Sequence, residues 1–467
     1  MRVVMKFGGT SVGSSDAIKR VTEIVEEAHR EHEVIVVTSA MAGVTDELER
    51  AARRVPNWTE EEVKNFVGKL RRRHVETVNE VISSNLIRRE VLGYIDSLLD
   101  ELEKVLLGLS YVGEVTRRSM DLVLSFGERL AAPILAGALR DRGLEAEHLE
   151  AGEAGVITDE RFGEAEPILP ACRRKAQRTL IPMLRSGKIP VVTGFIGETV
   201  EGEVTTLGRG GSDYSAAILG AAVEADEIQI WTDVDGVMTA DPSLVPDART
   251  VPRLSYEEAL ELASFGAEVL HPKTVIPAQA EGIPIRVKNT FNPEAEGTLI
   301  TAEAQPADDV VKAVASSSDV GMVDVRGTTM IGRPGVAGRI FTKLGEAGIN
   351  VVMISQSASE SNISIIVSEE DVQEAARIIE REFVGERLVD RVKAYEDVAV
   401  VAVVGEGMRG TPGVASRVFS AVAREGVNVR TISQGASEVN ISFVVSEEDE
   451  AKAVNAIHSE FNLGEGS

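Results

Sequence analysis

The chain is short of several things, and each shortage removes a class of protein. A single cysteine, Cys172, occurs in 467 residues. That excludes a disulfide framework and a multi-thiolate metal site, and it fits a reducing cytosol. Basic residues are outnumbered, 49 Lys and Arg against 75 Asp and Glu, for a formal charge of −26. Such a surface repels phosphate backbones and anionic lipid heads, so neither a nucleic acid nor a membrane surface is the expected partner. The deficit is spread along the chain, −15 over residues 1–300 and −11 over residues 301–467, so no basic module hides in either part. Lysine is especially scarce, 13 against 36 Arg, which would suit a salty cytoplasm, although a GC-rich genome alone also favours Arg. No run of 18 apolar residues occurs, and the N-terminus enters the strand-like Arg2–Met5 directly, so a cytoplasmic protein is expected. What remains is an ordinary globular mix, 43% hydrophobic and 27% charged, long enough for two or three domains.

Over the first 300 residues short apolar runs alternate with helical patterns. Val3–Phe7 precedes the amphipathic Asp16–Glu31, and Val34–Val37, Ile189–Thr193 and Ile228–Trp231 follow with helix-like neighbours. Continuous apolar strands alternating with helices predict βαβ units around a buried parallel sheet. Residues 46–110 interrupt the rhythm as a charged, mostly helical excursion, and the Pro-, Ala- and acid-rich residues 292–309 mark a domain boundary.

Beyond that boundary the chain repeats itself. At an offset of 78, residues 320–371 and 398–449 agree at 29 of 52 positions. Each copy reads strand, Gly-x-Pro-Gly-Val-Ala at a helix start, two strands and a second helix, one strand short of a ferredoxin-like unit. Arg391–Tyr395 supplies that strand to the first copy. For the second, Val311-Lys312-Ala313 echoes Val392-Lys393-Ala394, so a strand near 311–316 is expected to close the second copy from upstream, nesting the first inside it. An unclosed sheet would leave an exposed edge.

Two Gly-rich turns carry the chemistry of the first part. Lys6-Phe7-Gly8-Gly9-Thr10-Ser11-Val12 ends the first strand, where paired glycines allow close approach to an anion and Lys6 adds a charge. Leu207–Asp213 offers backbone donors, the Arg209 guanidinium for a carboxylate or phosphate, a hydroxyl, and an Asp213 expected to cap the following helix. Neither matches a phosphate loop ending Gly-Lys-Ser/Thr or a Gly-x-Gly-x-x-Gly fingerprint. Thr38–Thr45 with its hydroxyls, Ser125–Arg129 with a carboxylate early in a helix, and the acidic loop Thr232–Pro242 fit the same crevice at the strand ends.

In these segments the chain resembles the aspartokinases of the amino-acid kinase family, with two C-terminal ACT domains. The resemblance is carried by Lys6–Val12 (KFGGTSV), Phe126–Arg129 (FGER), Gly208–Asp213 (GRGGSD), Thr232–Gly236 (TDVDG), Phe265–Thr274 (FGAEVLHPKT) and the tandem repeat. It implies an α/β amino-acid kinase fold over residues 1–300, with a mostly parallel sheet, followed by two ferredoxin-like βαββαβ ACT domains. Residues 318–396 would form the first, and 305–317 with 397–467 the second. It also implies transfer of the γ-phosphoryl of ATP, with Mg²⁺, to the side-chain carboxylate of L-aspartate, the first step toward lysine, threonine, methionine and isoleucine.

Carried over by position, Lys6, Arg209 and Asp213 would be catalytic. Ser39, Thr45, Glu128, Phe195, Arg209 and Ser212 would hold aspartate, with Glu128 on its ammonium and Arg209 on a carboxylate. Lys6, Phe7, Gly8, Gly9, Thr10, Ser11, Thr232, Asp233, Met238, Asp241, Lys273 and Thr274 would form the ATP side, the amides of Gly8 and Gly9 cradling phosphate. Met238 stands where many relatives have Tyr, and Ser243 where an Arg often follows Asp-Pro. No metal is expected to be held by the protein alone. A carboxylate nucleophile is already ionised at pH 7, so no general base is needed. In the repeats, Gly335, Val336, Asn350, Gln356, Asn362 and Gln434 are the expected effector contacts, and their neutral amides favour threonine over lysine. ACT pairing implies a homodimer or homotetramer, and no fused homoserine dehydrogenase domain is expected after the second repeat. The competing readings are another acyl-phosphate-forming kinase, acting on glutamate, acetylglutamate or carbamate, and an amino-acid sensor with a decayed kinase domain.

Overall fold

The structure, a computed structural model, describes residues 1–265, 270–303 and 310–464. The segments 266–269, inside the FGAEVLHPKT motif, and 305–309, at the expected start of the second ACT domain, lie outside the described residues. The chain forms two compact units, Met1–Val237 with Val269–Glu303, and Met238–Glu268 with Ala304–Ser467.

In the first unit the strands run in the order Ala146–Leu149, Ile189–Thr193, Glu33–Thr38, Arg2–Phe7, Glu227–Thr232, Ile285–Asn289, Thr298–Thr301. All neighbours pair parallel except the last two, which are antiparallel. Val3, Val4, Met5 and Phe7 are all buried, as in a parallel sheet whose faces are both covered. The excursion is three helices, Val44–Arg54, Glu60–Val81 and Asn85–Val112, which with Arg117–Asp141 share the core of the sheet. Helix Arg117–Asp141 is apolar and long enough to cross a membrane by composition, yet 83% of its apolar window is buried within the protein. Its start is fixed by a reciprocal cap between Thr116 and Ser119.

The second unit contains a six-stranded antiparallel sheet built on two long strands, Ala313–Arg326 and Arg391–Val404. Residues 313–317 lie against 400–404, on the sheet of the second repeat, and Met322–Arg326 lie against Arg391–Tyr395, on the sheet of the first. Each long strand therefore serves both repeats, and the register shifts between Ser317 and Met322 mark the change.

Residues 238–264 group with this unit and not with residues 1–237, unlike the expected division at residue 300. Helix Tyr256–Ser264 buries Tyr256, Ala259 and Leu262 there. Glu258, fully enclosed, accepts from Lys312 Nζ at 2.8 Å and from the amides of Ser255 (2.8 Å) and Glu406 (2.7 Å). Further along, Thr239 Oγ1 lies 3.0 Å from His458 Nε2, and Arg249 donates to Leu463 O at 2.7 Å.

Candidate active site

The first unit gathers its Gly-rich turns at the C-terminal ends of the strands, the place where ligands bind open α/β sheets. Lys6, on the strand Arg2–Phe7, is almost enclosed, and its Nζ lies 2.5 Å from Asp213 Oδ1. Asp213 does not cap its helix, as the sequence suggested it would. Gly210 in the left-handed region (φ +71°) is the cap residue and the helix runs Gly211–Val223, so Asp213 sits in the first turn and turns its carboxylate to Lys6. The Gly8 amide donates to Trp231 O (3.1 Å) and serves the sheet rather than an anion, which corrects its expected part in a phosphate cradle. Among the described residues the amides of Gly9, Thr10 and Ser11 have no hydrogen-bond partner, and they form the open part of the turn.

Phe7 and Ser11 are enclosed, Phe7 stacking on Trp231 and Ser11 Oγ lying 2.7 Å from Thr290 Oγ1. Their side chains support the turn. Thr290 was not singled out in the sequence. Neither were Asn289 and Asn292, which both donate to Asp235 of the acidic loop (2.8 and 3.1 Å). Their one visible signal was position, at and just beyond the end of an apolar strand.

The loop Ser39–Gly43 ties the site together through its backbone. Ser39 N donates to Phe7 O, Ala42 N to Gly9 O and Ala40 N to Glu128 Oε1, each at 3.1 Å. Arg73, from the helical excursion, donates to Ala42 O at 2.7 Å. Glu128 is 2% exposed and its Oε2 has no partner. Burial pushes its carboxyl up to about 8, opposed only weakly by the Ala40 amide. Gly127 leaves room for this packing, since a Cβ there would meet Ala40 Cβ at 2.8 Å and Thr45 Oγ1 at 3.6 Å.

Phe195 takes a left-handed conformation (φ +65°), and its ring fills the space beside Gly211, where a Cβ would approach to 2.7 Å. Ser212 packs equally close on Gly194. Thr45, Glu128 and Ser212 sit in the helices Val44–Arg54, Arg117–Asp141 and Gly211–Val223, while Ser39 and Phe195 lie in turns joined by the Gly194 amide, which donates to Thr38 O at 2.8 Å.

On the other side Thr232 Oγ1 donates to the exposed Asp233 (3.2 Å), and Thr274 is buried with its hydroxyl unpartnered. Lys273 Nζ is held 3.1 Å from Glu166 Oε1, and the same glutamate accepts from Tyr214 OH at 3.3 Å. Met238 and Asp241, expected on the nucleotide side, belong to the second unit, where Thr250 Oγ1 reaches Met238 Sδ at 3.7 Å and Asp241 accepts the Ser243 amide at 2.7 Å. Among the described residues no three His, Cys, Asp or Glu side chains cluster as a metal site.

In the repeats, Gly335 (φ +89°) and Gly413 (φ +90°) cap the helices Val336–Glu346 and Val414–Arg424. Asn350, Gln356 and Gln434 are exposed, while Asn362 has a buried, unpartnered Oδ1. Ser355 Oγ donates to Ile432 O (2.9 Å), joining the strands that carry Gln356 and Gln434.

Residues 1–289 match the amino acid kinase family, and residues 323–383 and 401–461 each match the ACT domain. Aspartokinase 1, chloroplastic, of Arabidopsis thaliana is 37% identical over 98% of this chain and 80% of its own. The chain belongs to the aspartokinases of the amino acid kinase family. Bifunctional aspartokinase/homoserine dehydrogenase 1, chloroplastic, of Arabidopsis thaliana is 35% identical over 98% of this chain, and this chain spans about half (51%) of it. Among solved structures, E. coli aspartokinase III with aspartate and ADP in its R-state aligns at 31% identity, 99% and 100% coverage and a TM-score of 0.85. The same enzyme with lysine and aspartate in its T-state aligns at 32% identity, 98% and 99% coverage and a TM-score of 0.78.

Proposed function

We propose that this aspartokinase-family chain transfers the γ-phosphoryl of MgATP to the side-chain carboxylate of L-aspartate, giving 4-phospho-L-aspartate. The observation that carries this reading is Glu128, a sealed carboxylate with one amide donor and one empty oxygen. Ionised, such a group is costly to bury unless a cation completes it, and the ammonium of a free amino acid is such a cation. Arg209, on the turn packed against Phe195, takes the α-carboxylate, and Ser39 and Thr45 contact the same substrate. The side-chain carboxylate of aspartate is then the nucleophile and needs no base at pH 7.

Phosphoryl transfer requires in-line placement and neutralisation of charge on the equatorial oxygens. Lys6, held by Asp213, and the open amides of Gly9–Ser11 supply both. Thr232, Asp233, Lys273 and Thr274 form the nucleotide side, where Lys273 exchanges Glu166 for phosphate. The acidic side chains Asp213 and Asp233 fit a magnesium ion that arrives on the nucleotide, since Mg²⁺ is commonly held by phosphates and water with few carboxylates. In that role the ion neutralises phosphate charge.

The ACT repeats are read as the site of an amino-acid effector. The neutral side chains Asn350, Gln356, Asn362 and Gln434 support threonine over lysine, and the two matched ACT domains support a homodimer or homotetramer. The lone cysteine and acidic surface support a cytoplasmic setting. A coupled ADP-release assay with aspartate, glutamate and acetylglutamate tests the reading. Turnover with aspartate alone is expected; turnover with another acceptor moves the assignment within the family, and effector binding without turnover makes the chain a sensor. Calorimetric titration with threonine and lysine tests the effector, and tight lysine binding with no response to threonine overturns it.

A further inference from the structure

We propose that His271 is a positioning residue for phosphoryl transfer: its imidazole joins the turn that carries Arg209 to the helix start that carries Lys273, and it does so only when neutral. The inference rests on the aspartate kinase reading above and deepens its nucleotide side.

Three observations meet at this ring. First, His271 is the cap residue of helix Pro272–Glu281, and its Nδ1 accepts the Lys273 amide at 3.2 Å. Ser, Thr, Asp and Asn are the usual residues there, so an imidazole points to a second task. Second, Gly210 is the seat of the ring. It sits at φ +71°, and a Cβ at that position would lie 2.3 Å from His271 Cβ and 2.4 Å from Cγ. The turn 208–211 and the turn before Lys273 are therefore in direct contact through this one side chain. Third, the charged groups facing the ring are those of the proposed site: Lys273 from its own helix, Arg209 and Asp213 from the turn and helix opposite. Burial, then Lys273 and Arg209, hold the imidazole pKa below its ordinary value, with Asp213 acting against them.

A neutral ring with Nδ1 accepting keeps its proton on Nε2, for which no partner exists among the described residues. Protonation would set an N–H against the Lys273 amide, remove the cap, and add a third cation beside Arg209 and Lys273. The joint then opens, and both cations lose their placement relative to the transferring phosphoryl.

The test compares His271→Ala, which loses cap and ring, with His271→Asn, which keeps an acceptor for the Lys273 amide and cannot titrate. Affinity for a non-hydrolysable MgATP analogue is measured by calorimetry from pH 5.5 to 8.5, alongside kcat and KM for each substrate. His271→Ala is expected to lower kcat/KM for MgATP by about 10²-fold, the usual cost of a misplacement near 1 Å, with KM for aspartate little changed. His271→Asn is expected to recover about tenfold of that loss, and to lack the fall in nucleotide affinity expected of the unmodified protein at acid pH. An alanine variant with unaltered kcat/KM overturns the proposal, as does an asparagine variant that keeps the acid fall. Should the alanine variant not fold, the acid fall in the asparagine variant decides alone. A chain inert toward aspartate contradicts the kinase reading, while nucleotide affinity still reports on His271.

Discussion

Glu128 in the first unit and Glu258 in the second are both sealed from solvent, at 2% and 0% exposed, and their surroundings are opposite. Glu258 is saturated: Lys312 Nζ and the Ser255 amide reach one oxygen, and the Glu406 amide reaches the other. Glu128 has the Ala40 amide on one oxygen and nothing on the other. The same contrast separates the two repeats at equivalent positions. Asn440 donates to Glu261 at 2.8 Å, whereas Asn362 keeps an unpartnered Oδ1. Buried polar groups are normally satisfied by the fold itself, so the saturated members act as structure, and the incomplete Glu128 and Asn362 are the ones to which the proposed function gives a ligand. The second repeat holds residues 238–264 through Glu406 and Asn440, and the proposed effector site draws on the unsaturated Asn362 of the first.

The largest expected effect comes from breaking the saturated pair. Lys312→Met strands the Glu258 carboxylate and is expected to cost about 3–5 kcal/mol in urea unfolding. Adding Glu258→Gln should recover part of that, and a loss below about 1 kcal/mol in the single variant would erase the contrast. Glu128→Gln should do the reverse. It is expected to lower kcat/KM for aspartate on the order of 10²-fold, the cost of removing one partner of a buried charge pair, without lowering stability.

Because burial raises the Glu128 carboxyl to about 8, the unliganded site is neutral there below that pH, and the substrate ammonium must meet an ionised form. Aspartate kcat/KM is therefore expected to climb with pH by up to about tenfold per unit until about pH 8. The stability linkage carries the opposite sign: folded protein holds this proton longer than unfolded chain, so stability present at acid pH is lost as pH rises toward about 8. In Glu128→Gln both slopes should vanish, and a slope that survives assigns them to another group. The smallest effects lie in the repeats. Asn440→Ala is expected to cost about 1–2 kcal/mol and leave effector affinity alone. Asn362→Ala should leave stability within about 0.5 kcal/mol and weaken effector binding about tenfold, the worth of a single hydrogen bond near 1.4 kcal/mol.

The parts of this account legible in the sequence are those with local signatures. Apolar runs mark the parallel strands, Gly pairs mark the turns, and the offset of 78 exposes the repeat. What was hidden depends on conformation or on distance along the chain. Asp213 reads as a cap because Asp is a good one; the left-handed Gly210 starts the helix instead and frees the carboxylate for Lys6. Gly8 reads as an anion donor until sheet pairing commits its amide to Trp231. Thr290 meets Ser11 across 279 residues, and Glu261 meets Asn440 across 179, separations that no local pattern encodes. His271 passes unnoticed for a related reason, since its second contact is with the space left by a glycine.

The most direct test of the central claim is detection of the product itself. Protein incubated with MgATP and L-aspartate is followed by ³¹P NMR, with hydroxylamine added to trap an acyl phosphate. The account predicts an acyl-phosphate resonance convertible to aspartyl hydroxamate, absent when aspartate is omitted and lost in Arg209→Met and Glu128→Gln. ADP without trappable acyl phosphate, or an undiminished signal from both variants, would contradict it.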